Sequence, residues 1–266
     1  IALSLYTYSV QPSSLSFLAK HGTVLVQGPK DIASKEISMS RYAGIGDTIT
    51  ILKGSAIDIT LSSKYAIRLN EGSRVKIAKL TPRYGKGSAG FELLDGEMLI
   101  SVEEGFKGSK FIVKTEAATA TALGTKFAVD VTGRGNSKTK VRVVEGKVRV
   151  KSAYSLAGRP ERVMLAKQTV IVGAGQKTDV SMGEPPIAPQ RLLEEEWAEL
   201  EELYQIGRRT QVMLLLKHSP DRLRELLRPC PVFISDEEPR LIPKAFENAV
   251  SKMEDAMKTD DRAKHL

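Results

Sequence analysis

Glycine-rich segments are the first places where this sequence could do chemistry, because closely spaced glycines let backbone N–H groups hold a phosphate. Gly85, Gly87 and Gly90 have the spacing of a dinucleotide-binding loop. Such a loop must follow a strand and open a helix, but Phe91–Gly96 alternates like a strand that runs into a turn. We therefore predict that the stretch from Lys79 to Gly90 is a loop that binds no cofactor.

The other residue types that carry chemistry do not form a compact site. Residues 173–178 resemble the end of a phosphate-binding loop, but Lys177 does not directly follow Gly175 and a strand-like run comes next. The histidines lie far apart and have no partner at metal-ligand spacing, and a single cysteine builds neither a disulfide nor a thiolate metal site. These residues are His21, His218, His265 and Cys230.

Nucleophilic and acid–base catalysis also lack a signature. No serine lies in a G-x-S-x-G elbow, and the carboxylates fall mostly on predicted surfaces and helix starts. The sequence therefore predicts a protein that is not an enzyme, with no catalytic residues, no cofactor and no metal site. A dispersed active site, with a carboxylate pair along one groove, is the alternative.

Composition and charge describe a soluble globular chain with an uneven charge distribution. The 266 residues are 41% hydrophobic and 27% charged, and no run of 18 apolar residues occurs. Residues 1–186 carry a net charge of +11, and residues 187–266 carry −3. The basic residues mostly alternate with apolar ones, which favours the solvated face of strands over a nucleic-acid site.

A period-two pattern dominates the chain from about Gly22 to Val180. Valine, isoleucine and threonine alternate with charged residues, as in a strand with one buried face. An acidic residue followed by glycine at Gly72, Gly96 and Gly146 predicts hairpins or tight turns. The repetition of this acidic-glycine step indicates a mainly β, solenoid-like coil of strands.

The pattern changes at residues 183–189, where three prolines predict a linker. Residues 190–266 predict an α-helical region that opens with an acidic run, which complements the helix dipole. Trp197, Leu200 and Tyr204 lie on its apolar stripe and are candidate interaction residues, although packing onto the β domain or other helices explains Trp197 as well. Residues 1–20 form an N-terminal segment, a candidate remnant of a signal peptide or membrane anchor.

Residues 21–182 resemble the FecR domain family. The sharpest block is Gly124–Val129, followed by the alternating run Thr139–Val150 with its Glu-Gly step. Gly46–Ile49, Phe111–Thr115 and the closing turn in Val172–Lys177 look like further family motifs. The resemblance implies an all-β, solenoid-like domain outside the cytoplasmic membrane. In the founding members this domain receives a signal from an outer-membrane transporter and passes it to a cytoplasmic segment that binds a sigma factor.

Two functions follow from composition and resemblance together. The first is a non-catalytic interaction or scaffold protein of the cell envelope, in which the β domain is a protein-binding platform and the acidic helical tail serves docking or assembly. The alternative is a periplasmic signal-transducing regulator of the sigma/anti-sigma type. Expected partners are envelope proteins or further copies of the chain, with peptidoglycan or anionic lipid as further contacts, whereas nucleic acid and small-molecule substrates are disfavoured. The expected location is periplasmic, with inner-membrane anchoring through a segment upstream of Ile1 left open.

Overall fold

The computed structural model describes residues 15–37, 42–62, 65–81, 88–102, 110–122, 124–133, 137–153 and 168–200. Within these residues the chain forms strands and one short helix, so the protein is mainly β. The strands are β1 Leu15–His21, β2 Val24–Gln27, β3 Lys35–Glu36, β4 Tyr42–Ala43, β5 Thr48–Ile51, β6 Ala56–Ser62, β7 Tyr65–Leu69, β8 Arg74–Thr81, β9 Ser88–Val102, β10 Lys110–Lys114, β11 Ala118–Ala122, β12 Lys126–Thr132, β13 Lys138–Glu145, β14 Lys147–Ser152, β15 Thr169–Gly173, β16 Gln176–Ser181 and β17 Gln190–Arg191. The helix, α1, spans Glu194–Leu200.

The strands form one open sheet that is folded over into two layers, called here sheet A and sheet B. Sheet A has the order β4-β1-β6-β7-β9-β12-β13-β16-β17. Sheet B has the order β3-β2-β5-β8-β9-β10-β11-β14-β15. Every pairing is antiparallel except that of β9 with β10. The strand β9 belongs to both layers and lies in the middle of each.

The core lies between the two layers, because the period-two pattern turns the apolar side chains of both sheets inward. In β14 buried and exposed residues alternate at every position. An aromatic cluster fills the centre around β9, with the rings of Phe91 and Phe111 5.3 Å apart and those of Phe111 and Phe127 6.2 Å apart. Tyr65 stacks on Phe111 at 6.0 Å, so residues from both sheets meet there.

Gly72, Gly96 and Gly146 lie where the chain crosses from one sheet to the other. Their φ angles are 76°, 78° and 83°, a region that glycine adopts without steric strain. The strands on either side of Gly72 lie in different sheets, and so do those around Gly146, so these turns do not close hairpins. Gly96 lies inside β9, at the point where this strand leaves sheet B and enters sheet A.

Two of these crossovers pack against each other with little space. A Cβ at position 96 would lie 2.5 Å from the Cα atom of Ser73, the residue that follows Gly72. Ser73 is fully buried, and its Oγ atom donates a hydrogen bond to the Glu97 carbonyl oxygen and accepts one from the Glu97 amide. The glycine at 96 is therefore required both by its φ and by the close approach of another chain segment.

The solenoid-like part of the predicted fold is not confirmed. A β-solenoid stacks strands in parallel coils, whereas here antiparallel strands alternate between two layers of an open sheet. The repeated acidic-glycine steps suggested regular coils because crossovers between layers use the same positive-φ glycine as the corners of a coil.

Several boundaries differ from the sequence-based expectation. The strand β1 begins at Leu15, inside the predicted N-terminal segment, and pairs with β6, whereas residues 1–14 lie outside the described residues. The loop predicted from Lys79 to Gly90 is shorter, because β8 continues to Thr81 and β9 begins at Ser88.

The structure of the predicted linker and the start of the predicted helix also differ from the expectation. In the linker, the Ile187 amide donates to the Asp179 carbonyl oxygen, and Thr178 Oγ1 donates to the Ile187 carbonyl oxygen at 2.5 Å. The helix predicted from Gln190 begins at Glu194, because Gln190 and Arg191 pair with β16 as β17. Residues 201–266, which complete the predicted helical region, lie outside the described residues.

Candidate functional site

The outer face of sheet A, the side that points away from the core, carries side chains that are buried rather than solvated. One cross-strand row runs from Arg68 through Leu99 and Ala128 to Arg142 and Lys177. Leu99 is 1% exposed and Arg142 4%. A face of a sheet that is turned away from the core and still excludes water is a candidate contact surface.

Part of this burial comes from the residues around α1. Leu192 and Leu200 form an apolar cluster with Ala66, Leu99, Ala128 and Val144 of sheet A. Small alanines on the strands let the segment approach the sheet closely. The Leu192 amide also donates a hydrogen bond to the Gly175 carbonyl oxygen, at the turn between β15 and β16. The segment that contains α1 is therefore packed onto sheet A.

Arg142 is the centre of an ion-pair network that joins sheet A to α1. Its Nη2 atom lies 2.7 Å from Glu97 Oε1 and 3.1 Å from Asp130 Oδ1, and its Nη1 atom lies 2.5 Å from Glu199 Oε2. Asn70 completes the network by donating to the other oxygen of Glu97 at 2.6 Å. Glu97 and Asp130 are on the neighbouring strands β9 and β12, while Glu199 is on the helix. One buried guanidinium therefore connects two strands with the helix.

A second ion pair holds the first turn of α1. Lys177 Nζ donates to both oxygens of Glu196, at 2.7 and 2.8 Å, and Lys140 Nζ lies 3.7 Å from the same carboxylate. Glu196 also accepts a hydrogen bond from the Leu193 amide at 2.9 Å. This is the back-bond of a capping box, in which the third helical residue satisfies a free N–H group at the helix start. The same carboxylate thus begins the helix and fixes it to β16.

The environment of Asp130 favours its neutral form. Burial raises the pKa of Asp130, and the nearby Glu97 carboxylate raises it further, against the opposing effects of Arg142 and Lys140. The pKa of Asp130 is raised to about 7. Asp130 therefore takes up a proton near neutral pH, although it faces the guanidinium of Arg142.

The pKa of Glu196, on α1, is shifted in the opposite direction. Burial raises the pKa of Glu196, but the Leu193 amide and the Lys177 ammonium outweigh it, so its pKa lies below the ordinary value. For Arg142, burial alone would lower the pKa, but Asp130, Glu199 and Glu97 together hold it above the ordinary value. The contact between helix and sheet is therefore partly ionic, and within it the pKa of Asp130 is raised whereas that of Glu196 is lowered.

Residues 47–149 match the family described as FecR protein. The chain contains a FecR domain. The match runs from the start of β5 into β14 and has β9 near its middle. No curated protein matches the chain.

Two crystal structures of a candidate anti-sigma factor from Parabacteroides distasonis, at 1.65 and 2.50 Å resolution, are similar to the chain. Their sequence identities to it are 18% and 20%, and both TM-scores are 0.42. The similarity covers 57% of this chain, and the chain spans 62% of the length of these structures.

The predicted interaction residues differ in how far they are buried. Leu200 is fully buried in the contact with sheet A. Trp197 remains 38% exposed, and its Cζ2 atom lies 3.4 Å from where a Cβ of Gly175 would be. Tyr204 lies outside the described residues. The three therefore remain predictions as an interaction surface, although Leu200 already has its partner within this domain.

The ionic residues of the site were missed by the sequence analysis. The run Lys140–Val143 alternates charged and apolar residues, which is typical of a strand with a solvated face, and Arg142 was therefore interpreted as solvent-exposed. A residue at that position is buried only because Glu97, Asp130 and Glu199 come together around it from distant parts of the chain. The usable signal was the opposite charge of the two parts of the sequence, which predicted that the acidic segment would dock.

The structure shows a further ion pair on the same outer face, at β6 and β7. Arg68 Nε lies 2.6 Å from Asp58 Oδ1, and Arg68 Nη2 donates to Asp58 Oδ2 at 2.7 Å. This two-bond geometry between a guanidinium and a carboxylate is the most directional ion pair available to side chains. Asp58 is 4% exposed, so the buried charged face extends across both sides of β9.

Proposed function

We propose that this protein is a signal-transducing regulator outside the cytoplasmic membrane, in which the FecR domain controls the position of its own C-terminal segment. The observation that carries the proposal is the triple ion pair of Arg142, which joins β9 and β12 to α1. A regulator needs two states whose balance a partner can shift. A helix held by a few ion pairs and a small apolar cluster is suited to be released.

The family resemblance supports the same proposal. In founding members of the FecR family the domain receives a signal and passes it on, and here the domain carries an acidic segment docked on a charged face. A partner that binds the outer face of sheet A in place of α1, or that pulls on the segment, would change which groups the segment presents. No catalytic step is part of this mechanism.

The test uses a variant in which the helix is released without loss of the domain. Glu196→Gln with Glu199→Gln removes the carboxylates of α1 that pair with Arg142, Lys177 and Lys140. Glu194→Gln with Glu195→Gln makes the same charge change at exposed positions of the same helix. Expressed in the host from the native locus, the first variant is expected to alter transcription of a discrete set of genes in the absence of any stimulus, as read by RNA sequencing. The matched control should leave transcription as in the wild type.

Two results of this experiment would reject the proposal. If deletion of the gene changes no transcripts, or if both double variants behave alike, the segment does not transmit a signal. Hydrogen exchange at the amides of α1 provides the structural check, because the first variant should exchange faster there while β12 and β13 keep their protection.

A second candidate function, a scaffold protein of the cell envelope, is favoured by one observation. Leu193, which precedes α1, and Trp197 within it are 59% and 38% exposed, so the start of the helix presents apolar surface that sheet A leaves uncovered. A scaffold would use this surface to bind an envelope protein or another copy. Light scattering on the full chain and on Trp197→Ala distinguishes the two, since a scaffold loses its assembly and a regulator does not.

A further inference from the structure

The outer face of sheet B is open and strongly basic. Eight lysines and arginines project from it, and all of them are exposed, while the residues between them on each strand are mostly buried in the core. These residues, called here the basic face, are Arg74, Lys76 and Lys79 on β8, Lys110 and Lys114 on β10, and Lys147, Arg149 and Lys151 on β14.

The basic face is a two-dimensional array. One row of the sheet runs from Lys76 through Glu92 to Lys114 and on through Thr119 to Lys151. Neighbouring strands are about 4.8 Å apart and residues two apart on a strand about 6.7 Å, so the eight cations cover an area of roughly 19 by 13 Å. A line of charges fits a single extended polymer, whereas an array of this shape fits a surface.

Little acidic charge opposes these cations. In the described residues of β8, β9, β10, β11, β14 and β15 on this side, the acidic residues are Glu92 and Asp95. Glu92 Oε2 lies 3.9 Å from Lys76 Nζ, and both side chains are well exposed, which makes this pair weak. Thr119 and Thr121 of β11 lie between the cation-bearing strands, where their hydroxyl groups can donate to anionic oxygens.

Apolar side chains on the same face indicate which kind of anionic partner the basic face binds. Leu94 is 45% exposed and Ile171 49%, and both lie within the sheet that carries the cations. Phe91 and Phe111, the aromatic residues of β9 and β10, are buried in the core, so in these strands no exposed ring is available to stack on a base. Cations spread over a plane together with exposed aliphatic side chains favour an anionic lipid surface over a nucleic acid.

We infer that the basic face binds the surface of an anionic lipid bilayer, with its lysines and arginines at the phosphate groups and Leu94 and Ile171 directed toward the interface. The face of sheet A that holds α1 lies on the opposite side of the core, so the bound domain keeps its regulatory contact away from the lipid. This inference does not depend on the proposed function, and its test measures lipid binding alone.

The experiment is co-sedimentation of the full chain with vesicles. Vesicles of mixed phosphatidylglycerol and phosphatidylcholine should bind the protein at about 0.1 M salt and release it at about 1 M, because the Debye length falls from about 10 to 3 Å. Vesicles of phosphatidylcholine alone should not bind it. Each cation near an anionic surface contributes about fivefold in affinity, so Lys147→Thr with Arg149→Thr and Lys151→Thr should weaken binding about 100-fold.

A matched control variant removes the same charge elsewhere. Lys53→Thr with Lys138→Thr and Arg191→Thr changes exposed cations of a crossover turn and of sheet A, and should bind within about threefold of the wild type. An unchanged unfolding temperature of the β14 triple variant shows that it is folded, since threonine is favourable in strands.

Three results would overturn the inference. One is absence of binding to the phosphatidylglycerol vesicles at about 0.1 M salt. Another is an equal loss of binding in the β14 and control variants, which would mean attraction by net charge alone. The third is binding of heparin or duplex DNA through β14 when the vesicles are not bound, which would assign the face to a soluble polyanion.

Discussion

The same four residues occur twice in this chain with opposite results. Lys140-Val141-Arg142-Val143 lies on β13 in sheet A, and Lys147-Val148-Arg149-Val150 lies on β14 in sheet B. In both copies the valines are buried in the core, but Arg142 is 4% exposed whereas Arg149 is exposed. The strand pattern decides which side chains leave the core, and the neighbours from elsewhere in the chain decide whether they reach water.

The neighbours explain the difference. Arg142 lies opposite Ala128 and is surrounded by carboxylates from β9, β12 and α1, so its charge is neutralised inside the protein. Arg149 lies opposite Thr121 and Ile171, which supply no charge. The outer face of sheet A is therefore an internal contact, and the basic face of sheet B remains available to an external one.

The largest expected effect separates these two arginines. Arg142→Ala leaves Glu97 and Asp130 next to each other without their cation, and breaking a buried ion pair in this way destabilises a protein by about 3–5 kcal/mol. Arg149→Ala removes an exposed charge and should change the free energy of unfolding by less than about 0.5 kcal/mol. Urea unfolding of both variants measures the two values. Equal values would mean that the network around Arg142 contributes no more than a solvated arginine.

The next effect tests the crossover that joins the two sheets. Gly96→Ala places a methyl group against the backbone of Ser73 and strains a positive φ, and should destabilise by about 2–4 kcal/mol. Gly72→Ala is the matched control, since its φ is similar but a Cβ there meets nothing within 4 Å. It should cost about 1–2 kcal/mol, the backbone strain alone. A Gly96→Ala variant no less stable than Gly72→Ala would show that the two crossovers separate easily.

Per pH unit, the smallest effect is the pH dependence of the sheet A face. Between pH 3.8 and about 7 the folded protein keeps a proton on Asp130 that the unfolded chain has lost. The free energy of unfolding should therefore decrease as pH rises through this window, by at most about 1.4 kcal/mol per pH unit. Asp130→Asn cannot release this proton and should lack that part of the decrease. Thermal unfolding of both proteins from pH 4 to 8 makes the comparison, and parallel curves would exclude a raised pKa of Asp130.

Local patterns in the sequence were enough for the mainly β fold and for the family. The alternation in Thr139–Val150 places four of its five valines in the core between the layers, and Gly124–Val129 with its neighbours lies inside the residues that match the FecR family. These features depend on residues close together in the chain. The layer order could not be read in this way, because a glycine such as Gly146 looks the same at a crossover as in a hairpin.

The candidate site depends on contacts between distant residues. Arg142 and Glu199 are 57 positions apart, and Arg142 and Glu97 are 45 apart. No local period indicates such a meeting, so the face beneath α1 was interpreted as solvated. The acidic character of the C-terminal residues predicted docking or assembly without naming a basic partner, and in the structure Glu199 meets Arg142 and Glu196 meets Lys177.

The central position of β9 has a consequence for how the chain folds. In both sheets every strand before β9 lies on one side of it and every strand after it lies on the other. Until β9 is added, the earlier strands present two unpaired edges, at β7 and at β8, and such edges readily pair with other chains. A single strand covers both edges when residues 88–102 appear. The pairing of β9 is therefore the folding step at which the chain ceases to be exposed to aggregation on that side, and slow addition of β9 would prolong the risk.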